Sequence, residues 1–227
     1  PWTATSRPCF SGERISTSQG DSWTLEGPWL QIALDAEGRI RRVEGREDVT
    51  LELSETVRMG SDTLVWRAEA GDRVLLDGDP ARAWQGMDMI EAPRLVLLRD
   101  ERELVAEGGA TAELQSLRGS GLFGAQEPVR VRSERVFVPE TERPVLFDGR
   151  AQAWQGSNML RAGLIRVERT GAWLVAENDV VLRLGRSEEE GVDLASRLMA
   201  DRVEYVAGER LARLRGDTSY SAGERRI

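Results

Sequence analysis

ARAWQGMDMIEA, residues 81–92, returns as AQAWQGSNMLRA at 151–162. One shared tetrapeptide would carry little weight, but Met, an aliphatic residue and Ala follow AWQG at the same offsets in both. Shared flanks of this kind mark an internal repeat, and a repeat decides the fold before any single element does.

Sliding the two segments along each other extends the match into a rule. Ala92 is a small anchor: Ile90 stands two before it, Leu95 and Leu97 three and five after it, and Gly108 closes the unit behind Leu104 and Ala106. Ala162 repeats this with Leu160, Ile165, Val167, Leu174 and Ala176, and Asn178 takes the glycine position. Ser133 brings Val131, Val136, Val138, Val145, Phe147 and Gly149; Ala200 brings Leu198, Val203, Tyr205, Ala212, Leu214 and Gly216. Ser61 brings Met59, Leu64, Trp66, Val74, Leu76 and Gly78. Gly27 brings Leu25, Leu30, Ile32, Val43 and Gly45, with Arg41 breaking one apolar position. Anchor and glycine stay 16 to 18 residues apart, while successive anchors are 29 to 41 apart, so insertions fall between units.

Apolar residues at alternate positions mean a strand with one buried face. The step of three after each anchor breaks that period and marks a bulge or corner, where a small residue suits the tight inner radius. Turn-prone DAEG (35–38), AEAG (68–71), RDER (99–102) and RTG (169–171) separate the two halves of a unit. Each unit is thus an antiparallel hairpin, and six hairpins predict an all-β chain of about 12–14 strands. AWQG is then the end of one strand and the turn into the next. SEEEGVDLASRLMA (187–200) has some helical content, but its first part reads as an exposed loop before a repeat strand. LQSLRGSGLFGAQEP (114–128) interrupts the repeat with Gly and a Leu122-Phe123 pair. It reads either as a surface loop with an apolar plug or as a mobile gate or docking element.

Composition narrows the function. The chain has 227 residues, 40% hydrophobic and 31% charged, with a net charge of −8. That is a globular composition, and it offers no basic excess with which to bind nucleic acid non-specifically. No apolar run reaches the roughly 20 residues that span a bilayer. No signal peptide is visible, and a start at Pro1 without Met fits a mature or trimmed form. Cys9 stands alone, and there is no histidine, which excludes Ser-His-Asp triads and His-ligated zinc. The acidic clusters Glu101/Glu103 and Glu188–Glu190 sit in predicted turns, nothing singles out a carboxylate pair, and the glycines form no phosphate-binding fingerprint. No catalytic residue, cofactor site or metal site is assigned, and no enzyme is expected.

The unit resembles the OstA-type repeat of the lipopolysaccharide-transport family (LptA, LptC and the N-terminal domain of LptD). The clearest matches are MIEAPRLVLLRDERELVAEGGATAEL (89–114) and MLRAGLIRVERTGAWLVAENDVVLRL (159–184), preceded by RVLLDGDPARAWQG and RPVLFDGRAQAWQG. The resemblance implies a single β-jellyroll over 25–220, open along one side. Residues 1–24 would be an irregular segment with a candidate edge strand, and 221–227 a tail. It also implies a periplasmic, non-catalytic carrier that shields the acyl chains of lipopolysaccharide or a related lipid and bridges inner and outer membrane. Its groove would be lined by Leu30, Ile32, Leu64, Trp66, Ile90, Ala92, Leu95, Leu97, Val131, Val136, Val138, Leu160, Ala162, Ile165, Val167, Leu198, Val203 and Tyr205, as one interior shared by all units. Partners would be Lpt-type envelope proteins, or further copies of the chain, joined end to end through edge strands near Ile15–Leu34 and Leu211–Tyr220. Departures from the pattern are the weak N-terminal match over Gly12–Leu25 and the lack of both an anchor and a barrel-forming half.

The inward residues by themselves leave two readings of the interior open. Ala81, Ala83, Ala92, Ala106, Ala110, Ala112, Ala151, Ala153, Ala162 and Ala176 all fall on inward positions, and only four Phe occur in the chain. Small inward residues suit a lumen for alkyl chains. They equally suit an alanine-rich, fully packed sandwich, a structural or interaction module of an envelope assembly that binds no lipid. Trp84 and Trp154 follow inward alanines and so point outward or to the rim, where they cover the sheet or contact a partner or membrane.

Overall fold

The computed structural model describes residues 9–19, 23–54, 56–68, 72–115, 127–140, 142–168, 170–185, 196–209 and 211–222. These form an open, all-antiparallel sheet of 14 strands, in which successive strands β1 to β13 are hydrogen-bonded in chain order and β14 pairs with β12. The contacts divide the chain into two compact units, Pro1–Gly108 and Gly109–Ile227. The first unit holds β1 (Cys9–Gln19), β2 (Trp23–Leu34), β3 (Ile40–Ser54), β4 (Val57–Arg67), β5 (Arg73–Gln85), β6 (Asp88–Leu98) and the start of β7 (Glu103–Leu114). The second holds the rest of β7, then β8 (Val129–Pro139), β9 (Val145–Gln155), β10 (Asn158–Val167), β11 (Trp173–Leu184), β12 (Ser196–Val206), β13 (Leu211–Arg215) and β14 (Ser219–Ala222). The six hairpins of the repeat are β2–β3, β4–β5, β6–β7, β8–β9, β10–β11 and β12 with β13 and β14. Both AWQG segments end a strand and turn into the next, with Gly86 (φ 60) and Gly156 (φ 55) left-handed in the same place. Residues 116–126 and 186–195, where the long loop and the weak helical signal fall, lie outside the described residues.

Every hairpin is bent at its middle, and the two strands bend by different devices. In β4 the buried positions run Met59, Ser61, Leu64, Trp66, so one step of three switches the parity at the small anchor. The same switch occurs at Ala92 in β6, Ser133 in β8, Ala162 in β10 and Ala200 in β12. Strand partners skip at these points, as between Gly60 and Thr63 or Arg132 and Arg135, which is the signature of a bulge. The buried hydroxyls of Ser61 and Ser133 each donate to the carbonyl two residues on, at 2.9 and 2.8 Å, so these polar anchors sit satisfied in the corner.

In the partner strands the corner is two successive left-handed residues: Glu47–Asp48 (φ 63, 55), Gly108–Gly109 (89, 95), Gly149–Arg150 (83, 47) and Asn178–Asp179 (68, 56). An L residue held there costs about 1–2 kcal/mol, which is why Gly and Asn recur in the repeat. Two copies differ from the template. Gly45 is not the corner of β3, which lies at Glu47–Asp48. It faces inward instead, where a Cβ would come within 2.9 Å of Val49 Cγ2. Gly78 keeps an ordinary φ beside the cis Asp79–Pro80 bond, and a Cβ there would lie 2.9 Å from the Ala81 nitrogen. Gly216 (φ 86) makes the last corner and splits that strand into β13 and β14.

Candidate functional site

Because partnered residues share a face, the pairing aligns inward side chains into rows across the strands. In the first unit one row runs Leu30, Gly45, Leu64, Leu76, Leu95, and another Ile32, Val43, Trp66, Val74, Leu97. On the far side of the bend a third runs Leu25, Leu51, Met59, Ala83, Ile90. In the second unit the rows are Val136, Phe147, Ile165, Ala176, Val203, Leu214 and, beyond the bend, Val131, Ala153, Leu160, Leu182, Leu198, Tyr220. All ten inward alanines of the repeat are buried, as are Trp66 and Tyr205.

Of the eighteen residues assigned to the groove, Leu30, Leu64, Trp66, Ile90, Ala92, Leu95, Leu97, Val131, Val136, Leu160, Ala162, Ile165, Val167, Val203 and Tyr205 are buried. Ile32, Val138 and Leu198 are only half-buried. Among the described residues, Ile32 is one past Gln31, the last residue paired with β1; Val138 is one past Phe137, the last paired with β9; and Leu198 is paired with β14. Trp84 and Trp154 are half-buried on the outer face, and the Trp84 ring lies over Gly60, 3.5 Å from where its Cβ would be.

The outer face carries the charge. All 31 basic residues are arginine, and many pair across strands: Arg94 with Asp77 at 2.6 Å, Arg150 with Glu134 at 2.6 Å, Arg135 with Asp148, and both Arg166 and Arg202 with Glu177. Exposed pairs of this kind contribute about 0–1 kcal/mol each. Asp77 raises the Arg94 pKa, and the Arg202 guanidinium holds the Glu204 carboxyl below its usual value. Two further carboxyls are lowered at turns. Backbone N–H groups, first that of Arg39, lower Asp35, and the Thr170 hydroxyl lowers Glu168. No model of a known protein family matches the chain, and no curated protein is similar to it. Among the described residues no group of three or more Cys, Asp or Glu could hold a metal, and no helix is long and apolar enough to cross a membrane.

One apolar cleft opens in the first unit. It is lined by Trp23, Leu25, Leu51 and Leu53 from one side of the bend, and by Val43, Leu64, Trp66, Val74, Leu97 and Arg99 from the other. The two indoles meet across it, centroids 6.5 Å apart and tilted by 51°. At its rim Asp72 Oδ1 accepts from Trp66 Nε1 at 2.6 Å and from Arg99 Nη1 at 3.1 Å. The enclosed space is about 20 Å³, on the order of what one water needs. Sequence reasoning located Trp66 but missed Trp23, Asp72 and Arg99, because these three fall outside the repeat template.

Proposed function

We propose that the protein is a non-catalytic lipid carrier of the periplasm. Acyl chains of lipopolysaccharide or a related amphiphile lie against its inward rows. Its last strand pairs with an Lpt-type envelope protein or with another copy of the chain, so that the apolar surface continues between inner and outer membrane. One observation carries this reading. Along the row Val131, Ala153, Leu160, Leu182, Leu198, Tyr220, exposure is 1%, 1%, 0% and 2%, then half-buried at Leu198, and 68% at Tyr220. The parallel row ends the same way, from Val203 at 0% to a half-buried Leu214. A closed sandwich covers such rows with a facing sheet. Here they run out at β13 and β14, which have no further strand beside them among the described residues.

Binding energy on this reading comes from acyl burial, about 0.8 kcal/mol per CH₂, because the chain's net charge of −8 repels phosphorylated head groups overall. Affinity therefore rises steeply with chain length and depends weakly on salt. A photo-crosslinking residue at Leu95 or Ile165 captures lipopolysaccharide, and one at outward Arg94 or Arg166 does not. Equal capture at inward and outward positions overturns the carrier reading.

A second reading, an envelope-assembly module that binds no lipid, is favoured by close packing: Leu30, Leu76, Leu95, Phe147, Leu160 and Ile165 are all at 0% exposure. Native mass spectrometry of the purified protein separates the two. Co-purified lipid supports the carrier, and lipid-free protein that captures none at Leu95 or Ile165 supports the module.

A further inference from the structure

We infer that the cleft between Trp23 and Trp66 is a binding site for an anionic amphiphile, with Arg99 taking the head group and the alkyl chain passing between the indoles. This rests on the lipid-carrying reading and adds to it a position and a head-group chemistry. The lining is apolar but for Arg99, the one charged side chain among the described residues that form it. A guanidinium presents five N–H donors in a planar fork that fits a carboxylate or phosphate. Arg99 and Asp72 are 38% and 29% exposed at their side chains, so the fork is within reach of an incoming anion.

Asp72 makes the site specific in a testable way. Its Oδ1 accepts from both Trp66 Nε1 and Arg99 Nη1, and its backbone carbonyl accepts from the Arg99 N–H at 3.3 Å. The carboxylate therefore holds a cleft wall and neutralises the cation at once. A ligand anion competes with Asp72 for the guanidinium, whereas the bond to the indole does not depend on Arg99. The enclosed space is only about 20 Å³, roughly one water, so the indoles part when a chain inserts.

The test is calorimetric titration, below micelle formation, with dodecyl phosphate, dodecyl maltoside as the neutral match, and inorganic phosphate alone. The parent protein prefers dodecyl phosphate over the maltoside by roughly tenfold, which is about 1.4 kcal/mol. Arg99→Gln brings that ratio to one and leaves maltoside affinity unchanged. Asp72→Asn raises the ratio, because the competing charge is gone while the Asn Oδ1 still accepts from Trp66. If Asp72 and Arg99 only held the fold together, both substitutions would lower thermal stability and shift all amphiphiles alike. A ratio of one in the parent, an unchanged ratio in Arg99→Gln, or a fall in Asp72→Asn overturns the assignment of Arg99. Displacement of dodecyl phosphate by inorganic phosphate overturns the amphiphile as occupant. Binding of neither amphiphile overturns the carrier reading itself, whereas maltoside binding without head-group preference overturns only this site.

Discussion

Replacing Phe147 by Ala tests whether the inward rows are a packed core where their exposure vanishes. Phe147 is the largest fully buried side chain, at 0% exposure. It stands on β9 between Val136 on β8 and Ile165 on β10, both also at 0%. Its removal therefore leaves a cavity ringed by neighbours already fixed in pairs. Phe→Ala at such a site costs about 3–5 kcal/mol, a large part of a total stability of about 5–15 kcal/mol. For a cooperative chain of this length that is a fall in Tm of about 6 to 20 °C. Leu198→Ala is the internal control. It removes a half-buried side chain at the open end of the other row, and half the burial term of a leucine is about 1 kcal/mol. Urea unfolding, with hydrogen exchange of the β8–β10 amides as a local readout, measures both. A Phe147→Ala cost below about 1 kcal/mol, or equal to that of Leu198→Ala, refutes the gradient of packing.

Leu214→Lys puts an inward charge on the last strand, the device by which sheet edges prevent association. Light scattering and pull-down should show end-to-end pairing lost while the half-buried site leaves Tm nearly unchanged; association as strong as the parent's rules out this edge as the joint. A proline at Thr218 is a poorer probe, since that residue lies in the break between β13 and β14 rather than on a ladder. Gly216→Ala costs about 1–3 kcal/mol through its left-handed backbone, and its Cβ would also fall 1.9 Å from Asp201 Oδ2. Because the Asp201 Cβ would itself lie 2.5 Å away, adding Asp201→Gly should recover the steric part and not the backbone part; full recovery in urea unfolding, measured against Asp201→Gly alone, would deny the strain. Glu168 has a carboxyl lowered from 4.5, chiefly by the Thr170 hydroxyl and then by the Thr170 and Ala172 N–H groups. A lowered folded pKa means stability that is present above 4.5 and lost as pH falls through the folded value. NMR of the Thr170 and Ala172 amides should therefore show the β10–β11 turn loosening only in acid, and Glu168→Gln should abolish that dependence.

The hairpins were legible because a parity switch at a small residue is written directly in the apolar pattern. Ala92, Ala162 and Ser133 announce their corners by a step of three, and the ten alanines reveal their face by alternation alone. The partner corners were harder. Glu47–Asp48 bends β3 through two non-glycine left-handed residues, and nothing in the pattern distinguishes them from ordinary exposed charges. Gly45, two residues earlier, drew the template because it is small for a different reason, contact with Val49. Half-burial at Ile32, Val138 and Leu198 depends on pairing with neighbouring strands, which the repeat does not encode. The Trp66–Asp72–Arg99 cluster joins a strand to two turns, with Asp72 and Arg99 separated by 27 residues, and short-range periodicity does not reach so far.

The placement of charge on the last strand bears on what that edge is for. Sheets that stay solitary blunt their edges with inward-pointing charges, proline or bulges. On β13 the charged residues are Arg213 and Arg215, partnered with Glu204 and Arg202 on the outward face. The inward positions are Ala212 and Leu214, and on β14 Tyr220, opposite Tyr205, Val203 and Leu198. The charges therefore protect the face that already meets water and leave the apolar row bare. Main-chain groups offered at such an edge give affinity to an added strand, and alternate side chains set its register. An incoming strand with small or aliphatic residues at alternate positions, the pattern that this chain itself repeats, would cover Leu214 and Tyr220 and continue both rows. A strand with inward charges would leave an unpaired charge against them and be rejected. On the proposed reading, the edge would therefore select for a partner built on the same repeat.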